Sequence, residues 1–130
     1  MTYKEIRHNE EVNELLKKGN WDVYVSAFVS APTGDPEYFF TTHCLQDSSK
    51  NRGGYYSETL EKLEQQLSGE FDTEKRTELA IEMTQTLLDD HMLFFASHLK
   101  MSMVSGEGVT GLTAHPCDYY EITVNLDKNK

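Results

Sequence analysis

Basic residues are scarce in this chain. Twelve Lys and Arg stand against 22 Asp and Glu, for a formal net charge of −10 over 130 residues. A surface for nucleic acid or an anionic membrane needs clustered cations to displace counterions, so neither partner is expected. The acids are spread along the chain, which reads first as solubility and second as attraction for a cationic ligand. Cysteine is almost absent: Cys44 and Cys117 are too few for a disulfide scaffold, and whether they pair is open. No apolar run approaches the roughly twenty residues a membrane-spanning helix needs, so no membrane insertion is expected, and no signal peptide is recognisable. Also missing are HExxH, CxxC, GxSxG and the glycine spacings of phosphate-binding loops. These gaps remove the commonest hydrolase, zinc-module and nucleotide-binding patterns.

What is present is organised around residues 15–36, LLKKGNWDVYVSAFVSAPTGDP. Asn9 is a good N-cap, Glu10 and Glu11 suit a first helical turn, and Val12, Leu15 and Leu16 form an apolar stripe. Lys17 and Lys18 suit the last turn, and Gly19 the left-handed position beyond it. Residues 22–29 then place Val23, Val25 and Val29 on one alternation and Tyr24 and Phe28 on the other. Apolar residues on both alternations predict a strand covered on both faces. With a short strand at residues 3–7, this predicts a right-handed βαβ unit. The loop at residues 30–36 leaves the carboxyl end of the strand, where ligands of α/β folds bind.

Further along, residues 37–45 are aromatic-rich and read as a short helix or an irregular packed segment. Residues 46–54 (QDSSKNRGG) are a loop. Ser57 caps a helix with Leu60, Leu63 and Leu67 on one face, ending at Gly69. Asp72 caps a longer one with Leu79, Ala80, Met83 and Leu87 inward. Residues 92–96 (MLFFA) predict a buried strand, residues 99–104 its continuation or another, residues 109–126 short β-prone pieces, and the terminal DKNK a frayed tail.

Several side chains carry chemistry. Arg52, between Asn51 and two glycines, can hold a carboxylate through a bidentate fork, against the alternative of a solvated turn arginine. Tyr55-Tyr56 and Tyr119-Tyr120 suit packing or a cleft wall. His91 sits at a helix end and reads as a capping cation, and His98 as a core or hinge histidine. Adjacent His43 and Cys44 point about 100° apart on a helix. His115-Pro116-Cys117 places two soft ligands two residues apart, a weak metal signal.

The order of motifs is itself informative. KGNWDVYVSAF is followed by GDPEYFF, NRGGYYS, LEKLEQQL, DTEKRTELA and DDHMLFFASHLKMSMVSGEGVTGL. From about Tyr3 to Leu126 this order resembles the C-terminal part of the solute-binding proteins of oligopeptide and nickel ABC importers. The resemblance implies an α/β architecture: part of the second lobe of a type II periplasmic-binding-protein fold, a βαβ unit with two further helices and strands in a mixed sheet. Residues 1–98 would belong to that lobe, and residues 99–130 would return to the first lobe, displaced or edge-packed here. It implies a non-enzymatic receptor outside the cytoplasm, periplasmic or lipid-anchored, that hands a peptide or metal chelate to an ABC permease. No resident cofactor is implied; nickel would be cargo.

The same resemblance places Ser30, Gly34, Asn51, Arg52, Tyr55 and Tyr120 toward the ligand, with His115 as a metal contact. Some nickel-binding members carry a histidine in the loop that here reads SSKNRGG, and an aromatic just before the Asp-Pro pair. This chain has Lys50 and Arg52 in the first and Gly34 in the second, which brings an anionic ligand group level with nickel. Two rivals remain: a small metal-dependent hydrolase using His43, Cys44, His115 and Cys117, and a self-standing interaction module. A chain holding only part of such a receptor would expose apolar surface, and a homodimer is one way to cover it.

Overall fold

Four amphipathic or capped segments become helices, and the local signals account for their ends. In a computed structural model of the chain, the described residues are 4–6, 9–99, 102–113 and 124–128. Helix α1 (Asn9–Lys18) opens with Glu10 and Glu11 and closes with Lys17 and Lys18, each charge opposing the nearer end of the helix dipole. Gly19 follows at φ 62°. Helix α2 (Glu37–His43) starts directly after Pro36, resolving the aromatic-rich segment as helix. Helix α3 (Glu58–Gly69) is capped by the Ser57 hydroxyl, which accepts from the Leu60 N–H. Helix α4 (Thr73–Asp89) is capped by Asp72, whose carboxylate accepts from the Glu74 and Lys75 N–H groups.

The end of α4 is a Schellman turn. His91 takes φ 57°, its N–H reaches the Leu88 carbonyl at 3.1 Å, and the Met92 N–H reaches Leu87 at 3.0 Å. His91 therefore terminates the helix through its backbone, and its Nδ1 lies 2.7 Å from the Asp89 carbonyl. Met92 packs on the core that contains Leu87, the apolar contact such turns usually carry.

The core lies where α2, α3 and α4 meet. Phe39 and Phe40 come from α2, Leu60, Leu63 and Leu67 from α3, Met83 and Leu87 from α4, with Cys44 just past α2. Leu79 and Ala80 pack against it from α4. Val12, Leu15 and Leu16 of α1 are half-buried and stand outside this cluster.

The sheet differs from expectation. Strands β1 (Val109–Thr110) and β2 (Asp127–Lys128) pair antiparallel, Val109 opposite Lys128 and Thr110 opposite Asp127. So residues 127–128, expected to fray, are instead held by a ladder. Gly111, at φ 75°, lets the Asn125 carbonyl approach so closely that any Cβ there would collide with it. Among the described residues these are the only strands, and the molecule is a small, helix-rich mixed α/β domain.

Residues 22–29 and 92–96 form no ladder, and the expected βαβ unit is not formed among the described residues. Val23 is 68% exposed, Val25 79% and Phe94 88%, so neither segment is a buried strand. Leu99 and Val104 are likewise exposed, and the described residues of 99–104 form no strand. The physical reason is that β pairing is non-local. An apolar run becomes a strand only when another segment supplies its hydrogen bonds and an apolar layer covers its faces. No helix among the described residues is long and apolar enough to cross a membrane.

The two classes of apolar residue should separate in denaturation. Leu67→Ala, which empties a fully buried site, is expected to cost about 3 kcal/mol in urea unfolding. Val25→Ser is expected to change stability by less than about 0.5 kcal/mol. A Val25 cost as large as that of Leu67 would contradict the observed exposure.

Candidate functional site

Two loops frame the candidate site, and they leave opposite ends of α2, a helix about 10 Å long. The first, residues 30–36, contains a turn in which the Gly34 N–H donates to the Ala31 carbonyl at 3.0 Å. Gly34 takes φ 85°, a region costly for residues with a Cβ. Ser30 and Gly34 are exposed. Beside them, Gly34 and Pro36 form one wall of an open groove of about 460 Å³ whose other wall is Ala80, Ile81 and Thr84 of α4.

Arg76 holds the first loop in place. Its Nη2 donates to both carboxylate oxygens of Asp35 at 2.8 and 2.9 Å and to Glu37 Oε2 at 3.0 Å. Its Nη1 donates to the Leu67 and Glu70 carbonyls at 2.6 and 2.8 Å, closing the C-terminal end of α3. The Asp35 carboxylate also accepts the Glu37 N–H at 3.0 Å. That N–H, more than Arg76, holds the Asp35 pKa below the usual carboxylate range, and partial burial works against both.

The second loop, residues 46–54, is held from within. Asn51 Nδ2 donates to the Leu45 and Tyr55 carbonyls at 3.1 and 2.7 Å, while its Oδ1 accepts the Tyr55 N–H at 3.0 Å. The Ser48 hydroxyl donates to the Thr41 carbonyl at 2.6 Å, and the Lys50 N–H to Thr42 at 3.3 Å, folding the loop back on α2. The Tyr55 hydroxyl donates to Asp90 Oδ2 at 2.6 Å. Burial first, then the Asp90 carboxylate, push the Tyr55 pKa up to about 12. Both side chains are thus engaged in fixing the loop. Lys50 and Arg52 differ: both are exposed and neither forms an ion pair among the described residues.

Beneath this loop, His43 is buried, 6% exposed, its ring 4.5 Å from Phe28 and 5.4 Å from Phe39 between centroids. Its Nδ1 has no hydrogen-bond partner among the described residues. Neighbouring Cys44 is a free thiol, fully buried, whose pKa burial pushes up to about 12. His43 and Cys44 are therefore core residues. Among the described residues no group of three or more His, Cys, Asp or Glu side chains is placed to hold a metal ion. His115, Cys117 and Tyr120 lie outside the described residues.

Of the sequence candidates, Ser30 and Gly34 share the first loop, and Asn51, Arg52 and Tyr55 the second. No hydrogen bond or ion pair joins the two loops. Arg76 was absent from the sequence candidates, because its partners lie up to 41 positions away and no local pattern marks them. A search against protein-family models, curated proteins and solved structures finds no match for this chain.

Two measurements follow. Arg76→Met is expected to destabilise the fold by about 2 kcal/mol, because it strands the Leu67 carbonyl of α3, the Glu70 carbonyl that follows the helix, and the Asp35 and Glu37 carboxylates at once. A cost under about 0.5 kcal/mol in urea denaturation would remove Arg76 from this role. Cys44 should resist iodoacetamide at neutral pH until the protein unfolds, because its thiolate is both buried and disfavoured. Peptide mapping that found Cys44 alkylated in the native protein would contradict its burial.

Proposed function

We propose that this chain is part of the ligand-enclosing lobe of a two-lobed solute-binding protein that serves an ABC importer outside the cytoplasm. In this reading residues 1–98 belong to the second lobe of a type II periplasmic-binding fold, and residues 99–130 return toward the first. The reading rests on the order of sequence motifs from KGNWDVYVSAF to the DDHMLFFASHL stretch. The structural observation that carries it is the second loop. In a chain with a formal charge of −10, a hydrogen-bonded loop presents Arg52 and Lys50 without acidic partners among the described residues.

An exposed guanidinium on a stiff loop is a ready receptor for a carboxylate, because less side-chain and loop entropy is lost on binding. Arg52 would hold the carboxylate of a peptide or a metal chelator, Lys50 would add charge, and the Ser30–Gly34 turn would border the ligand. Asn51 and Tyr55 act one step back by fixing the loop. The exposed apolar residues at Val23, Val25, Phe94 and Leu99 fit this reading, since a lobe in its complete receptor has neighbouring chain to cover them. A permease would then take the closed receptor, and the chain itself would catalyse nothing.

The test is calorimetry on the chain joined to a first lobe, against a panel of short peptides and nickel chelates. Binding of at least one ligand is expected, with Arg52→Gln weakening it about tenfold, near 1.4 kcal/mol. Failure of every peptide and chelate to bind the two-lobed protein would sink the reading. Binding insensitive to Arg52 would sink the assigned role of this loop.

A further inference from the structure

A buried imidazole with an unpartnered nitrogen is costly to charge, and His43 has one such nitrogen inside an aromatic cage. We propose that His43 is a pH-sensitive latch, holding residues 22–29 against the helical core while its ring is neutral and releasing them when it is protonated. The two sides of the cage are unequal. Phe39 belongs to α2, is buried, and packs on Phe40 within the core. Phe28 belongs to a segment without ladder bonds and is 46% exposed. When the imidazolium requires water at Nδ1, Phe28 is the side that can move.

The charged surroundings act in the same direction. The groups acting on the ring are Lys50 and Arg52, both cations from the loop after α2. Among the described residues no carboxylate from α2, α3, α4 or residues 22–29 offsets them; the segments packed there bring Phe28, Phe39 and, beyond Phe39, Phe95. Burial first, then these two cations, hold the His43 pKa below its ordinary value. The neutral form is therefore the one the fold favours. Its contribution is complete above the ordinary imidazole pKa of about 6.5, declines as pH falls through that value, and levels off below the folded pKa. Release should stop short of Asp35, which Arg76 and the Glu37 N–H hold independently of His43. The latch does not depend on the proposed transport role.

The only tryptophan, Trp21, stands at the head of the segment, half-buried and edge-on to Tyr24, so its fluorescence reports release. Between about pH 8 and pH 5, Trp21 emission should shift to the red with a midpoint below the ordinary imidazole value, while far-ultraviolet circular dichroism keeps the helices. His43→Phe should abolish that transition, and Phe28→Ala should give the red-shifted emission already at the upper pH. Should His43→Phe not fold, an NMR titration of the His43 ring decides: its pKa should rise toward the ordinary value in Phe28→Ala. The latch is overturned if the Trp21 transition persists unchanged in folded His43→Phe. Loss of helix and tryptophan signals at one midpoint, or an unmoved His43 pKa in Phe28→Ala, overturns it equally.

Discussion

The Arg76 guanidinium is the point at which three parts of this structure are tied together. From the first turns of α4 it reaches the last carbonyls of α3, the Asp35 carboxylate ahead of α2, and the Glu37 carboxylate in the first turn of α2. A lysine would offer its three donors from a single nitrogen, whereas the planar fork meets acceptors on two separate nitrogens simultaneously. Arg76 is mostly sheltered from water, and each of its bonds is charge-assisted, so losing it leaves several acceptors unpaired together. The three-helix core would still bury Leu60, Leu67, Met83 and Leu87 without it. The 30–36 loop would lose the ion pair that joins Asp35 to α4.

The second loop shows how rigidity and availability can be divided among neighbouring residues. Asn51 uses its amide within the loop, and Tyr55 its hydroxyl on Asp90, so these polar side chains are satisfied by the protein itself. Lys50 and Arg52 extend from the same frame, without acidic partners among the described residues. The side chains that fix the loop are therefore different from those that carry its positive charge. The same loop places two positive charges near His43, so the feature that favours an anion outside disfavours a proton inside. The two effects are linked by ordinary electrostatics, whatever the ligand.

The local architecture was readable because its causes are local. Ser57 and Asp72 each reach N–H groups two or three residues ahead, Gly19 follows the last turn of α1, and the leucines of α3 recur at helical spacing. A cap or a stripe needs no distant partner, so its residues carry its whole signal. Asn51 and Arg52 were also readable as loop residues of chemical interest. The separation of their roles was not, since it depends on which carbonyls surround Asn51. Residues 22–29 and 92–96 form no strand, because an apolar run carries a tendency to be covered without naming the cover.

Helix ends, the core faces of α3 and α4, and the polar loop thus follow from residues within a few positions of one another, through capping bonds and side-chain periodicity. The Arg76 clamp, the burial of His43 between Phe28 and Phe39, and the ladder that holds residues 127–128 depend on groups brought together from distant positions. Such contacts exist only after loop closure has been offset by burial of the helical core, and chain order alone does not specify them. For that reason Val23, Val25 and Phe28 look alike in an apolar run. In the folded chain Phe28 meets the Phe39 and His43 rings, whereas Val23 and Val25 are exposed.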